Sequence, residues 1–295
     1  MAAVLQAMTT VAATYAKETG RPIFICDFSP PRGGDPALLE PARALSVDFI
    51  SVAYNPGKSA RVGSVAAAHW VQSNTSTDAI FTLATRDMNK VAIQSLLLGA
   101  QLLGLENVVV VKGDEFNERD LAVLADVNDY IPTGLIRAVA QLNDGIDFRG
   151  LKLRGPTRFC IGATVDLGRD RGGEVALTRR KVEAGAHFLI SQPTFGPAEP
   201  THFLDAYAER HGEQLALPMF HGIQVMTAES IQFGSIPRWV TDDLGRGRPG
   251  TEIAVQVLET FVSAGFRTFY LVPPILRGGR RDYEAAQAVL EAFRG

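Results

Sequence analysis

The sequence predicts an α/β fold, a single (β/α)8 barrel with a helical extension at its N-terminus. Three observations lead there. Eight short apolar, β-rich runs recur along the whole chain. Longer stretches with helical patterning separate them, the signature of a parallel sheet covered by helices. Spread over 295 residues, the eight units average about 37 residues each, the size of one strand–helix repeat of a closed barrel. The competing architecture is an open doubly wound sheet. That fold usually announces itself with a glycine-rich phosphate turn after an early strand, and none of the early runs has one.

Residues 1–19 are Ala-rich and weakly amphipathic, with Leu5, Val11 and Tyr15 loosely on one side. They read as a helix capping the barrel ahead of its first strand. They lack the basic start and apolar run of a signal peptide. The predicted strands occupy residues 23–26, 49–53, 80–84, 108–111, 159–163, 187–191, 219–225 and 269–272. They are near-continuously apolar rather than alternating, which suits a sheet buried on both faces. Residues 90–104, 176–185 and 252–265 carry the clearest helical patterning. A long connection at 114–157 holds a further helical stretch around 135–142, and a short one at 246–250 reads Arg-Gly-Arg-Pro-Gly. Neither shifts composition, so one barrel domain spans residues 1–295, with 1–20 as its N-terminal helical extension.

Composition narrows the function classes. Lys and Arg total 29 against 32 Asp and Glu, a net charge of −3, so no polybasic face for nucleic acid or membrane is expected. A hydrophobic fraction of 46% with 21% charged residues fits a globular chain with a large core. No run is long enough to span a bilayer. The two cysteines, Cys26 and Cys160, allow no disulfide scaffold and no cysteine zinc site, and a cytoplasmic setting is the expectation.

The residues that follow the apolar runs carry the chemistry. The first run leads into Asp27, the second into Tyr54-Asn55, the third into Thr85-Arg86-Asp87 and the fourth into Lys112-Gly113-Asp114. The fifth is followed by Asp166, the sixth ends at Gln192 and the seventh contains Gln224. One polar residue after a strand is ordinarily turn chemistry. Seven in order point instead to a shared mouth, because parallel-barrel strands all end on the catalytic face and glutamine is no turn former. After Asp27, Pro30 and Pro31 stiffen the exit and fix the carboxyl, which apolar walls could tune as a proton donor. Gly113 lets the chain turn sharply toward Asp114. Two carboxyls at one mouth can divide acid and electrostatic roles. Gln192, held by Pro193, offers a donor and an acceptor to the edge of a heterocycle.

Other motifs fail. Gly57-Lys58-Ser59 ends like a phosphate loop, but Val52 stands where the first glycine is required. The one GxGxxG, Gly245 to Gly250, follows polar Thr241-Asp242-Asp243 rather than a strand and reads as a chance match. His69, His187, His202, His211 and His221 lack metal-ligand spacing, so no metal is expected.

Taken in order, these motifs resemble the 5,10-methylenetetrahydrofolate reductase family, flavin-dependent (β/α)8 barrels. The resemblance runs over nearly the whole chain. It rests on Asp27-Phe28-Ser29-Pro30-Pro31, on Lys112-Gly113-Asp114, on Lys181-Val182-Glu183-Ala184-Gly185-Ala186 with Leu189-Ile190-Ser191-Gln192-Pro193-Thr194-Phe195, and on Tyr270-Leu271-Val272-Pro273-Pro274. Asn89-Lys90, Gly99 to Gly104 and Val127-Asn128-Asp129-Tyr130 are most similar to the reductase module found fused to homocysteine S-methyltransferase domains.

The resemblance implies reduction of 5,10-methylenetetrahydrofolate to 5-methyltetrahydrofolate, a step of one-carbon metabolism and methionine biosynthesis. FAD would be the cofactor, with NADH, NADPH or another donor as the source of electrons. It implies Asp27 as the acid and Asp114 as the charge that favours the cationic iminium. Gln192, Gln224 and Phe195 would face the folate. Asn55, Arg61, Thr82, Lys112, Asp166 and Lys181 would contact the flavin cofactor. The family usually carries Glu at the acid position, often His at the position of Thr82, Thr at that of Ala53 and Arg at that of Lys112. The shorter acid keeps a second reading open: a non-reducing or flavin-independent folate-binding relative that needs a partner protein. Association with its own copies, or with an electron-donor protein, is the remaining partner expectation.

Overall fold

A computed structural model describes residues 9–18, 20–231 and 235–295. Eight parallel strands close into a barrel in chain order. They are β1 Ile23–Phe28, β2 Phe49–Val52, β3 Asp78–Ala84, β4 Asn107–Val111, β5 Cys160–Val165, β6 Phe188–Pro193, β7 Met219–Gln224 and β8 Thr268–Val272. Among the described residues the helices are α1 Val11–Lys17, α2 Ser64–Asn74, α3 Lys90–Leu102, α4 Glu118–Leu121, α5 Pro132–Asn143, α6 Arg171–Glu183, α7 Ala198–His211, α8 Arg238–Gly245, α9 Gly250–Ser263 and α10 Tyr283–Arg294. Every predicted strand is present. A 3-10 segment, Pro36–Ala44, fills the β1–β2 connection in place of a full helix.

Within the described residues the predicted capping helix is α1. Thr10 caps it by accepting from the Ala13 N–H. Val11 is fully buried and plugs the barrel floor, its N–H donating to Asn107 Oδ1 at 2.9 Å. The part of the expected helix at residues 1–8 lies outside the described residues.

Strand pleating sorts the side chains into two cores. Ile23, Ile25, Phe49, Ile80, Val109, Cys160, Phe188, Ile190 and Phe220 fill the barrel interior. The intervening residues, such as Phe24, Ile50, Phe81 and Leu271, pack outward against the helices. Two glycines make the interior possible. A Cβ on Gly162 would lie 2.4 Å from the Phe188 ring, so the glycine supplies the room that ring occupies. A Cβ on Gly222 would lie 2.6 Å from Pro193 N, where the β6–β7 register shifts between Ile190 and Pro193.

The glycine motif at 245–250 has a packing explanation. It turns the chain from α8 into α9, and a Cβ on Gly250 would come within 1.5 Å of Met226 O. No strand precedes it, so it makes no dinucleotide turn.

His221 faces outward between Phe261 and Phe266, at ring-centroid distances of 5.6 and 4.5 Å, and its Nδ1 is buried without a partner. Burial pushes its pKa down to about 4. The unfolded chain takes up this proton near pH 6.5, so the folded protein is penalised as pH falls from 6.5 toward 4. At about 1.4 kcal/mol per pH unit the loss across that window is on the order of 3 kcal/mol. Urea unfolding at pH 7 and pH 4.5 checks this: His221→Leu should shrink the difference between the two pH values. An equally steep loss in the variant would place its origin elsewhere.

Candidate active site

The inward face that carries Ile23 and Ile25 also carries Asp27, one step higher. By the same alternation Thr82, Asp166, Gln192, Gln224 and Tyr270 rise around the mouth. Register brings Tyr270 beside Ile25, one inward step below Asp27.

Asp27 is buried, 6% exposed, and both its carboxyl oxygens are engaged. Tyr270 Oη donates to Oδ1 at 2.9 Å, and Arg281 Nε donates to Oδ2 at 3.1 Å. Burial, then the Asp27 charge, pushes the Tyr270 phenol well above its ordinary pKa. Tyr283 stacks on Phe28 at 4.8 Å and accepts from the Ser29 N–H at 2.9 Å. The proline exit is anchored as well: Arg61 Nη1 donates to Pro30 O at 3.0 Å, and the Val62 N–H donates to Pro31 O. Cys26 beside Asp27 is buried, and burial followed by the Asp27 charge raises its pKa, so it is no thiolate.

On the β2–β4 side Arg86 organises the mouth. Its guanidinium pairs with Asp87, donates to Asp114 O at 2.7 Å and lies 4.2 Å over the Phe116 ring. Gly113 has φ +84°, the left-handed turn that swings Asp114 over the rim. The Asp114 side chain is exposed there; it is its backbone carbonyl that Arg86 holds. Tyr54 bonds Asp87, and burial first, with Asp87 next, pushes its pKa to about 12. Asn55 sits at φ +38° and lines a cavity of about 240 Å³ with Lys58, Arg86, Asp87 and Phe116. Lys112 stands on the exposed rim, paired to Glu115.

Across the mouth, Gln192, Phe195 and Asp166 line one cavity of about 490 Å³ with Leu167, Pro193 and Glu199. That is room for a flat heterocycle with apolar cover and a few polar edges. Gln224 is buried, and its Nε2 donates to Ile231 O at 2.8 Å, tying down the loop after β7. Thr82 is half-buried on the inward face of β3, below the rim.

Lys181 stands apart from this group. Its Nζ donates to Glu174 Oε1 at 2.9 Å and to Thr164 O at 2.6 Å, with the Lys181 and Glu174 side chains 7% and 2% exposed. It lies between α6 and β5 as a buried ion pair and lines neither of the mouth cavities above. Burial lowers its pKa, with Glu174 opposing. The sequence placed Arg86 among the strand-end residues without giving it a role, and gave no site role to Tyr270 or Arg281. For Tyr270 a signal existed: it shares inward parity with the strand residues at 268 and 272. Arg281, past a Gly-Gly loop, carries none.

Another cavity, of about 520 Å³, opens at the opposite face between α1 and the starts of β1, β7 and β8. Barrel chemistry sits at the carboxyl ends of the strands, so the mouth is the candidate site. Among the described residues no group of three or more metal-ligating side chains is assembled, and no helix is long and apolar enough to cross a membrane.

No curated protein sequence matches. Among solved structures, an uncharacterized protein from Clostridium thermocellum that binds two copies of 5-methyl-5,6,7,8-tetrahydrofolic acid superposes with a TM-score of 0.64. It is 13% identical, over 93% of this chain and 96% of that one, a likeness of fold. A dihydropteroate synthase from Thermus thermophilus in complex with 4-aminobenzoate reaches a TM-score of 0.46 at 14% identity, over 93% and 94% of the two chains. The family model for methylenetetrahydrofolate reductase matches residues 13–247, from α1 through β7 and the end of α8. The chain belongs to the methylenetetrahydrofolate reductase family.

Proposed function

We propose that the barrel, acting as one catalytic domain, reduces 5,10-methylenetetrahydrofolate to 5-methyltetrahydrofolate with FAD and a reduced nicotinamide. The observation that carries this reading is the buried carboxyl of Asp27 at the mouth, with the Gln192–Phe195–Asp166 cavity opening at the same end. The folate-binding fold neighbour supports the substrate class.

Each residue then has a task. Asp27, once protonated, gives its proton to the ring nitrogen that leaves the methylene carbon. That carbon–nitrogen bond breaks, and the cationic iminium it leaves is favoured by the charge of Asp114. Tyr270 holds the Asp27 carboxyl in place. Gln192 bonds the edge of the pterin, and Phe195 covers its face. Gln224 steadies the loop over the same side.

The flavin contacts that the family resemblance implies fit in part. Asn55, Thr82 and Asp166 stand at or below the mouth, Arg61 and Lys112 are cationic at the rim, and Lys181 is committed to Glu174. When bound, the flavin would relay hydride from the nicotinamide to the folate carbon.

Two measurements test the reading. Purified protein should show a flavin absorption band. Under anaerobic conditions with reduced nicotinamide it should convert methylenetetrahydrofolate to methyltetrahydrofolate. A colourless protein that binds no reduced folate would overturn the proposal.

A further inference from the structure

The exposed apolar surface of this molecule is gathered in one sector. Among the described residues, fourteen large hydrophobic side chains are exposed, and ten of them fall between Val91 and Leu151. On a globular domain such a concentration marks a surface that another molecule covers.

Helix α3 is the spine of this sector. From Val91 to Leu105 the chain carries no charged residue. Ile93, Leu97 and Ala100 are buried, as a helix covering a barrel requires. The opposite face is uncharged as well. Val91, Ser95, Leu98 and Leu102 are exposed and follow one another at helical spacing, with Leu102 88% exposed. Gly99 lies beside this stripe, and a Cβ there would meet nothing within 4 Å. Its own chain therefore does not ask for a glycine, which weakens a helix; a second helix packed closely across it does.

The segments held at the two ends of α3 carry opposite charge. At its start the Lys90 N–H donates to Asp129 Oδ2 at 3.1 Å, and Lys90 Nζ lies 5.3 Å from the centre of the Tyr130 ring. These contacts tie α3 to the lobe 114–131, which holds six carboxylates against one arginine. Further along, Gln94 accepts from the Phe148 N–H at 3.0 Å, and Gln101 accepts from the Arg158 N–H at 2.7 Å. These hold the turn 146–158, which is closed by the Ile146–Lys152 bridge and has four cations against one carboxylate. That carboxylate, Asp147, accepts from the Arg149 and Leu151 N–H groups, both at 2.8 Å. Lys152 and Arg154 are exposed.

We propose that α3 pairs with α3 of a second copy of this chain, antiparallel across a twofold axis. Val91 of one copy then meets Leu102 of the other, and Ser95 meets Leu98. The acidic lobe of each copy lies on the basic turn of the other. A twofold contact needs a surface complementary to itself, and an apolar stripe with opposite charges at its two ends is one. The charges also set the direction, because a parallel pair would place acid on acid. The pairing is independent of the folate reading. Leu124, Asp126 and Asn128 of the lobe line the cavities beside Arg86, so the paired face lies behind one wall of the mouth.

Sedimentation of the full chain tests the pairing. The parent should run at twice its 31.8 kDa. Leu98→Glu should weaken association about 100-fold or more, because both copies then bury a charge. Leu98 is exposed, so this variant should keep the melting temperature of the parent. Arg154→Glu should weaken association about 10-fold, and added salt should act in the same direction.

Disulfide trapping reads the orientation. Chains carrying Val91→Cys, mixed with chains carrying Leu102→Cys, should cross-link under mild oxidation, whereas either variant alone should not. The two positions lie three helical turns apart in one chain, about 16 Å, too far for an internal bridge. The native cysteines are buried and do not compete. A parent that sediments at 31.8 kDa at every concentration overturns the proposal, and so does a dimer that Leu98→Glu leaves intact. Cross-linking of Leu102→Cys with itself, and not with Val91→Cys, overturns the antiparallel order. None of these readouts involves folate, so their failure leaves the function proposed above standing.

Discussion

Asp27→Asn should lose folate reduction by about 10²- to 10⁴-fold, the usual contribution of a positioned acid, while reduced nicotinamide is still oxidised by an artificial acceptor. In barrier height that is about 3–5 kcal/mol. Two steady-state assays on one preparation decide it. The amide can accept the Tyr270 hydroxyl as the carboxylate does, but it carries no transferable proton and no charge to pair with Arg281. Circular dichroism must accompany the assays, because the variant leaves a mostly buried guanidinium without its carboxylate. Folate turnover equal to that of the parent would remove Asp27 from the mechanism. Asp27→Glu is the informative companion. The extra methylene extends the carboxyl by about 1.3–1.5 Å into the space that Tyr270 and Arg281 now hold, a displacement large enough to change rates by orders of magnitude.

Lys181→Met should act on stability. It strands Glu174, whose side chain is 2% exposed. Arg169 stands 4.0 Å from the other oxygen with a side chain 63% exposed, a distance and exposure that offer little compensation. Breaking one side of a buried pair costs about 3–5 kcal/mol. For a chain of this size the melting temperature should fall on the order of 10 °C, measured by calorimetry or circular dichroism. Replacing both partners, Glu174→Met with Lys181→Met, should recover much of the loss, because no buried charge remains. A singly substituted protein that melts like its parent but no longer retains flavin would instead make Lys181 a cofactor ligand.

These outcomes bear on how much of the molecule the sequence carried. The eight strands were legible because each is a short apolar run buried on both faces, bounded by polar turns. Their ends were less so. β1 runs on through Asp27 to Phe28, because a carboxylate satisfied by Tyr270 and Arg281 can sit inside a strand where sequence reasoning ends it. Helix α1 begins at Val11 because Thr10 caps it. At the mouth, Gln192 and Asp166 were legible as strand-end residues and Phe195 only through the family resemblance, and the three share a cavity. The partners of Asp27 were not. Tyr270 looks like an ordinary strand aromatic until the register against β1 is known, and Arg281 reaches the acid across a loop with no local signature. Lys181 shows a partner that the sequence did not announce. Its position fits a cofactor contact, but its charge is satisfied two helical turns back along α6 by Glu174.

The two bonds that hold Asp27 span 243 and 254 residues of chain. On the ribosome, β1 emerges early and must wait for β8 before the ring shuts. At roughly 5–20 residues per second that interval is on the order of 10–50 s. Throughout it, one edge of β1 is a bare row of peptide groups of the kind that recruits stray strands, so these are the seconds when a molecular chaperone matters most. The final strand therefore does two things at once: it hides that edge, and its Tyr270 fastens the Asp27 carboxyl. A chain truncated before β8 would leave that edge bare and Asp27 without Tyr270 and Arg281 together, so the bonds on Asp27 also report that the ring has closed.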